Sequence, residues 1–330
     1  MGGDYLFCSN YWRHHVQITS KAGKMKYWKY LGVLVLLVIA IILPRYLGLY
    51  QLQIMNFVFV YIAFALSWDM LLRSGQLSFG IAGFAGIGGY TSIVLCYYFK
   101  LEPLLCIVAG AGAAAIVAML VGSQVLKLRG LYFSIVTLAI GEIFRIVVRN
   151  LEVTGEAEGL LLPNAIFMGD PTKTYWMMFT VAAITIILSI LFQKTRMHYA
   201  LTSIANDEIV AASSGVNIFK YLVIIFAVTS AIQGMAGAAY WQIYASATPE
   251  GAFNLGFALI PITMALFGGI GTTWGPVIGA TILSVTAELL KLQFPHGHLL
   301  VYGLIMVIAI LWFPNGIMGI IKKFTAKFNN

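Results

Sequence analysis

Four ionisable side chains stand inside long apolar runs of this sequence: Asp69, Glu142, Arg145 and Glu288. Charges at such positions are costly in a membrane and, where they are functional, bind ions, protons or substrates. Asp69 and Arg73 are spaced i, i+4, and Glu142 and Arg145 i, i+3, so on a helix each pair meets on one face. Structural ion pairing near a membrane interface accounts for both. Glu142 is the better functional candidate, because Thr137, Gly141 and other small or polar residues share its segment.

Other chemistries find no foothold. No Gly-x-x-x-x-Gly-Lys-Ser/Thr phosphate loop occurs, since the only Gly-Lys pair, Gly23-Lys24, is followed by Met25. A His-Glu-x-x-His zinc helix and a Gly-x-Ser-x-Gly nucleophile elbow are also missing. The five histidines, His14, His15, His198, His296 and His298, fall in predicted loops without carboxylate or thiol neighbours in metal-ligand spacing, so no metal site is expected. Three cysteines give no disulfide framework; Cys96 and Cys106 flank a predicted outer hairpin, as a pair or as two buried thiols. The expectation is a chain that is not an enzyme and binds no cofactor itself.

The elements that must hold these residues follow from composition. Of 330 residues 60% are hydrophobic and 10% charged, against about a quarter charged in a soluble domain. The apolar runs approach the roughly 20 residues that cross 30 Å of hydrocarbon as a helix, and they lack the period-2 alternation of a membrane barrel. The fold class is therefore all-α, a polytopic transmembrane helical bundle of about 8–10 spans. Ten are predicted, at about 31–50, 52–72, 79–99, 104–126, 131–149, 175–193, 221–243, 257–271, 275–291 and 299–321. The Gly-rich stretches 76–90 and 257–291 are open to broken or re-entrant geometry.

The net charge of +8 comes from short clusters at the ends of apolar runs, where lipid headgroups and topology explain it and nucleic acid is not needed. With both termini in the cytoplasm, most basic residues, among them Arg73, Lys127, Arg129, Lys194, Arg196 and Lys220, fall inside. The domain reading is a polar cytoplasmic leader over 1–27, a membrane domain over 28–321 and a basic cytoplasmic tail over 322–330.

Two polar segments interrupt this pattern. Residues 150–174 carry Glu152, Glu156, Glu158 and Asp170 and suit an outer loop, either meeting an external partner or simply solvated. Residues 194–220 are a cytoplasmic segment with an amphipathic centre, where Ile204, Ile209, Val210, Val216 and Ile218 alternate with polar residues, and a soluble partner is expected to dock there. Small residues at Gly110, Ala114, Ala118 and Gly122 set up close helix packing. The denser cluster Gly75, Gly80, Gly83, Gly86, Gly88 and Gly89 fits packing or function equally.

Four stretches stand out by their order. They are Gly75-Gln76-Leu77-Ser78-Phe79-Gly80 running on to Tyr90; Leu128-Arg129-Gly130-Leu131-Tyr132-Phe133 with Thr154-Gly155 and Glu158-Gly159-Leu160 after it; Glu208 through Ala211-Ala212 to Gly215-Val216, then Gly234-Met235-Ala236-Gly237-Ala238; and Phe267-Gly268-Gly269-Ile270-Gly271-Thr272-Thr273-Trp274-Gly275-Pro276. Each is weak alone, but together, in this order and spacing over about two thirds of the chain, they resemble the branched-chain amino acid ABC transporter permease family.

The resemblance implies a permease subunit in a bacterial inner membrane that works with a second, homologous permease subunit, two cytoplasmic ATP-binding subunits carrying ATP and Mg, and an external solute-binding protein. Branched-chain amino acids are the implied solute, with urea or a short amide as the alternative; a secondary transporter would leave the 194–220 segment without a role. On the same basis Glu208, Ala211, Ala212 and Gly215 are expected where an ATPase docks, although Ala205 and Asn206 depart from the family's usual Arg and acidic residue. Gly75, Gly80, Gly83, Gly86, Gly88, Gly89, Tyr132, Thr137, Glu142, Gly268, Gly269, Gly271, Trp274, Gly275 and Pro276 are expected at the translocation pathway or in subunit packing.

Overall fold

A computed structural model describes residues 43–293, 303, 304, 307, 311 and 316–319. The predicted spans over 299–321 and most of 31–50, the leader, the tail, Cys8, His14, His15, His296 and His298 lie outside the described residues, apart from the few positions named.

The chain is all-α. Its helices are α1 (Leu49–Leu72), α2 (Ile81–Phe99), α3 (Pro103–Val125), α4 (Leu131–Arg149), α5 (Pro171–Gln193), α6 (Arg196–Asn206), α7 (Glu208–Ser213), α8 (Ile218–Tyr244), α9 (Pro249–Ala252), α10 (Gly256–Gly268) and α11 (Trp274–Gln293). Eight membrane-length apolar segments result among the described residues, with α9 and α10 counted as one. They match the eight interior spans read from sequence, and the chain is a multi-pass membrane protein.

Boundaries differ where caps decide them. Helix α5 begins at Pro171, four residues before the predicted start at 175, because the Asp170 carboxylate accepts from the Thr172 and Lys173 backbone N–H groups and Pro171 needs no N–H in the first turn. The 194–220 segment holds two short helices, α6 and α7, before α8 begins at Ile218. Asp207 ends the first in extended backbone and caps the second through the N–H groups of Ile209 and Val210, at 2.8 and 3.1 Å.

The long helix α8 packs against α2 and α3, and small residues set the spacing. A Cβ on Gly88 would strike the backbone of Gly234, and one on Gly110 the Gly88 carbonyl and the Ala238 methyl. The Gly110, Ala114, Ala118 and Gly122 stripe is buried, as its period requires. Phe84 closes the same region edge-on to Phe226 at 5.3 Å.

The 150–174 loop is tied to the chain's own surface. Leu160 and Leu161 pair antiparallel with Ser246 and Ala247, as β1 and β2, and Tyr90 donates to the Ala247 carbonyl at 3.0 Å. At one end of the hairpin between α2 and α3 the Cys96 and Cys106 sulfurs lie 2.8 Å apart as free thiols. The α2 helix runs unbroken, whereas a break separates α10 from α11 at residues 269–273, where Gly269 and Gly271 take positive φ.

Candidate functional site

Two regions combine chemistry with accessibility. The first is the α6–α7 pair. Glu208 opens α7 and forms an ion pair at 2.5 Å with Arg129 of the α3–α4 turn, both about two-fifths exposed. Ala211 is wholly buried on the inner face of α7, while Gly215, at φ 82°, turns the chain so that the Val216 N–H reaches the Ala211 carbonyl at 3.1 Å. Of the residues expected to dock, Glu208 and Ala211 thus face the chain itself, Gly215 shapes the turn and Ala212 is exposed. The larger outward surface belongs to Ile209, 82% exposed, with Val210 and Tyr199. Their apolar size beside the acidic cap was visible in the sequence, but which of them faces out depends on the packing of Ala211.

Behind this pair lies a polar junction. Asp69 at the end of α1 is fully buried; its carboxylate accepts from Arg73 Nη2 at 2.5 Å and Nε at 2.9 Å, and from the Gly271 N–H at 2.7 Å. Thr273 meets Ser189 at 2.9 Å, and the Gln193 amide, assigned with its carbonyl toward the guanidinium because Arg73 can only donate, lies 2.8 Å from Arg73 Nη1. His198 of α6 stacks edge-on to Phe192 at 5.3 Å. Its imidazole is held below the ordinary value by burial first and by the Arg73 charge second, with Asp69 opposing. Gly269 and Gly271 in the helix break, with Gly268, Trp274, Gly275 and Pro276 on the helix ends that flank it, close the junction: a Cβ on Gly268 would strike the Gly275 carbonyl, and the Gly275 N–H donates to Thr272 Oγ1 at 3.1 Å.

The second region is a cleft of about 350 Å³ lined by Phe79, Ala82, Ile135, Leu138, Ala139, Gly141, Glu142, Phe253 and Leu255. Helix α4 supplies most of it. Phe133, Ser134, Thr137 and Val148 of α4 are buried and Val136, Ile140 and Phe144 are half-buried against the core, while Tyr132, Ile135, Ile143 and Val147 on its other side are exposed. Gly83 and Gly141 let α2 and α4 cross closely, a Cβ on Gly83 coming 2.9 Å from the Gly141 Cα. Thr137 is buried at this crossing and accepts from the Phe79 N–H at 3.0 Å, while Tyr132 is 75% exposed.

At the cleft's edge Glu142 accepts a hydrogen bond from Arg145 Nη2, with the side chains 49% and 31% exposed. Arg145 Nε is closed off from solvent without a hydrogen-bond partner. By insertion scales a charge at the centre of a span costs about 3 kcal/mol, so a pair on an outward face needs a polar neighbour.

The glycines of the first motif divide between tasks inside the chain. Gly86 accepts the ring of Phe253, Gly88 the backbone of Gly234 and Gly89 the indole of Trp241, while Gly80 lies against Ser78, Phe84 and Thr137. Gly75, at φ 79°, turns the α1–α2 connection beneath Ala205 of α6. Among the described residues no cluster of three or more His, Cys, Asp or Glu side chains is placed to hold a metal ion.

The family model for branched-chain amino acid transport system permease components matches residues 50–310. The high-affinity branched-chain amino acid transport system permease protein LivM of Salmonella typhimurium is 27% identical, with 87% of this chain and 74% of the relative covered. The corresponding LivH protein of Escherichia coli is 28% identical over 40% of this chain and 42% of its own length. The fructose import permease protein FrcC of Rhizobium meliloti is 24% identical over 65% of this chain and 63% of its own.

Proposed function

This chain belongs to the branched-chain amino acid transport system permease family, and from that premise we propose that it is the membrane-spanning subunit of an ATP-driven importer that carries branched-chain amino acids into the cell. The observation that carries the reading is the combination of eight apolar membrane-length helices with a family match over residues 50–310. Similarity to both LivM and LivH supports a pathway built from two homologous permease subunits. ATP and Mg are bound by two partner ATPase subunits, and an external solute-binding protein delivers the amino acid.

In this reading the α6–α7 pair receives the ATPase. Ile209 and Val210 offer an apolar knob, and the Arg129–Glu208 ion pair ties the same helix to the α3–α4 turn. A push on α7 therefore reaches α3 and α4 through Arg129, and reaches the α10–α11 break through the junction around Asp69. Closure of the nucleotide-bound ATPase dimer would rock these helices between outward-facing and inward-facing arrangements. Glu208, Ala211 and Gly215 hold the docking helix in shape, Ala212 lies on its exposed side, and the helix break at 269–273 takes up part of the motion.

The test is ATP-driven uptake in proteoliposomes that contain the complete complex and its binding protein, with radiolabelled leucine, isoleucine and valine, and with urea and fructose as alternatives. Uptake of the three amino acids, absent without ATP, is the expected result. Uptake of urea or fructose instead would keep the importer and replace its cargo, while uptake independent of ATP and of the binding protein would overturn the importer itself.

A further inference from the structure

We propose that Glu142 and Arg145 form a binding site for the zwitterionic head of an α-amino acid, with the cleft beside them holding its aliphatic side chain. The proposal rests on the importer reading and adds to it the residues that meet the cargo within the membrane.

Three features point to such a ligand. Glu142 and Arg145 present one charge of each sign a single helical turn apart, the same pattern an ammonium and a carboxylate on one carbon offer in reverse. Both side chains remain partly exposed although they pair with each other, and Arg145 Nε is a donor shut away from solvent with nothing to donate to. The cleft that Glu142 lines, one turn from Arg145, is otherwise apolar: Ile135, Leu138 and Ala139 line it with Phe253 and Leu255, and Glu142 is its one charged lining residue. Its volume of about 350 Å³ lies at the small end of ligand sites, suited to one solute of amino-acid size.

The competing account is a structural ion pair packed against a neighbouring subunit. The two differ in what removing both charges does. An ion pair that only stabilises packing is replaced by neutral groups with little loss, because neither charge is left unpaired. A pair that receives a ligand stays defective when both charges are gone, because the head group of the ligand loses its partners.

The experiment uses the complete complex with a cysteine introduced in the cleft, Leu138→Cys, and Ala139→Cys as the second position if the first does not assemble. Maleimide labelling is compared with the parent chain to subtract its own thiols. Millimolar leucine should slow labelling, about threefold at a concentration twice its dissociation constant. Two analogues that each lack one charge, 3-methylbutylamine and 4-methylpentanoate, should protect far less.

In the E142Q/R145Q double variant leucine protection should vanish and ATP-driven leucine uptake should fall roughly tenfold or more. Equal protection by either analogue, no protection by leucine, or a double variant that takes up leucine as the parent does would each overturn the site. Loss of the site with normal uptake in the parent leaves the importer reading intact, whereas a parent that takes up no amino acid removes the premise instead.

Discussion

At the scale of single residues the decisive group is Asp69, because it is fully buried and three donors converge on it. Replacing it with Asn leaves the guanidinium of Arg73, whose side chain is 5% exposed, without its counter-charge. Breaking a buried pair by removing one partner costs about 3–5 kcal/mol. The D69N variant is therefore expected to lower the thermal midpoint of the detergent-purified complex and to speed amide exchange at Gly271, and a variant that lacks both charges to recover part of the loss. Equal midpoints for D69N and the parent would show that the junction contributes nothing to stability. The spacing of Asp69 and Arg73 made their pairing legible in the sequence. The third donor, 202 residues further on, was not, because no local pattern says which loop a buried carboxylate will meet.

His198 gives the same junction a pH dependence. Its folded-state pKa is lowered, so between that value and the ordinary imidazole value of about 6.5 the undocked ring binds a proton that the docked ring refuses. Docking of α6 is thus at full strength above about pH 6.5 and weakens as the pH falls through that value. Hydrogen exchange of the α6 amides should accelerate between pH 7.5 and 5.5 beyond the intrinsic change, and His198→Gln should remove the excess. Identical pH profiles for the two proteins would assign the effect elsewhere.

At the scale of helices the fold depends on close approach of backbones rather than on large side chains. Lipid is as apolar as a leucine core, so helices in a membrane gain from tight contact and not from leaving water. Gly88 and Gly112 make this measurable within one pair of neighbouring helices. A methyl on Gly88 meets the Gly234 backbone, while one on Gly112 meets nothing within 4 Å. Gly88→Ala should therefore destabilise by about 1–3 kcal/mol through overpacking, and Gly112→Ala should be neutral or stabilise by up to about 1 kcal/mol. Thermal unfolding of the two variants in detergent checks both signs. The period-four stripe on α3 announced that a close contact exists, and the eight interior spans announced the helices. The division of α2's glycines among α4, α8 and the Phe253 ring was hidden, because a glycine tells how near a neighbour can come and not which neighbour comes.

At the scale of the whole chain the basic residues of the connections are unevenly shared. The α1–α2, α3–α4 and α5–α8 connections carry Arg73, Lys127, Arg129, Lys194 and Arg196, the last together with Asp207 and Glu208, whereas the α4–α5 connection carries Glu152, Glu156, Glu158 and Asp170 and no Lys or Arg. On the rule that Lys and Arg are retained on the cytoplasmic side, we propose that α6 and α7 lie inside and the 150–174 loop outside, the arrangement the importer reading needs if an ATPase and a binding protein are to approach from opposite faces. A cysteine at Ile209 and one at Met168, both more than four-fifths exposed, report the two sides separately. In intact cells a membrane-impermeant maleimide should label M168C and leave I209C untouched, and in inside-out vesicles the pattern should reverse. Labelling of I209C from outside would invert the topology. It would then turn the Ile209–Val210 knob away from any cytoplasmic ATPase and remove the physical basis for coupling through α7, whatever the cargo proves to be.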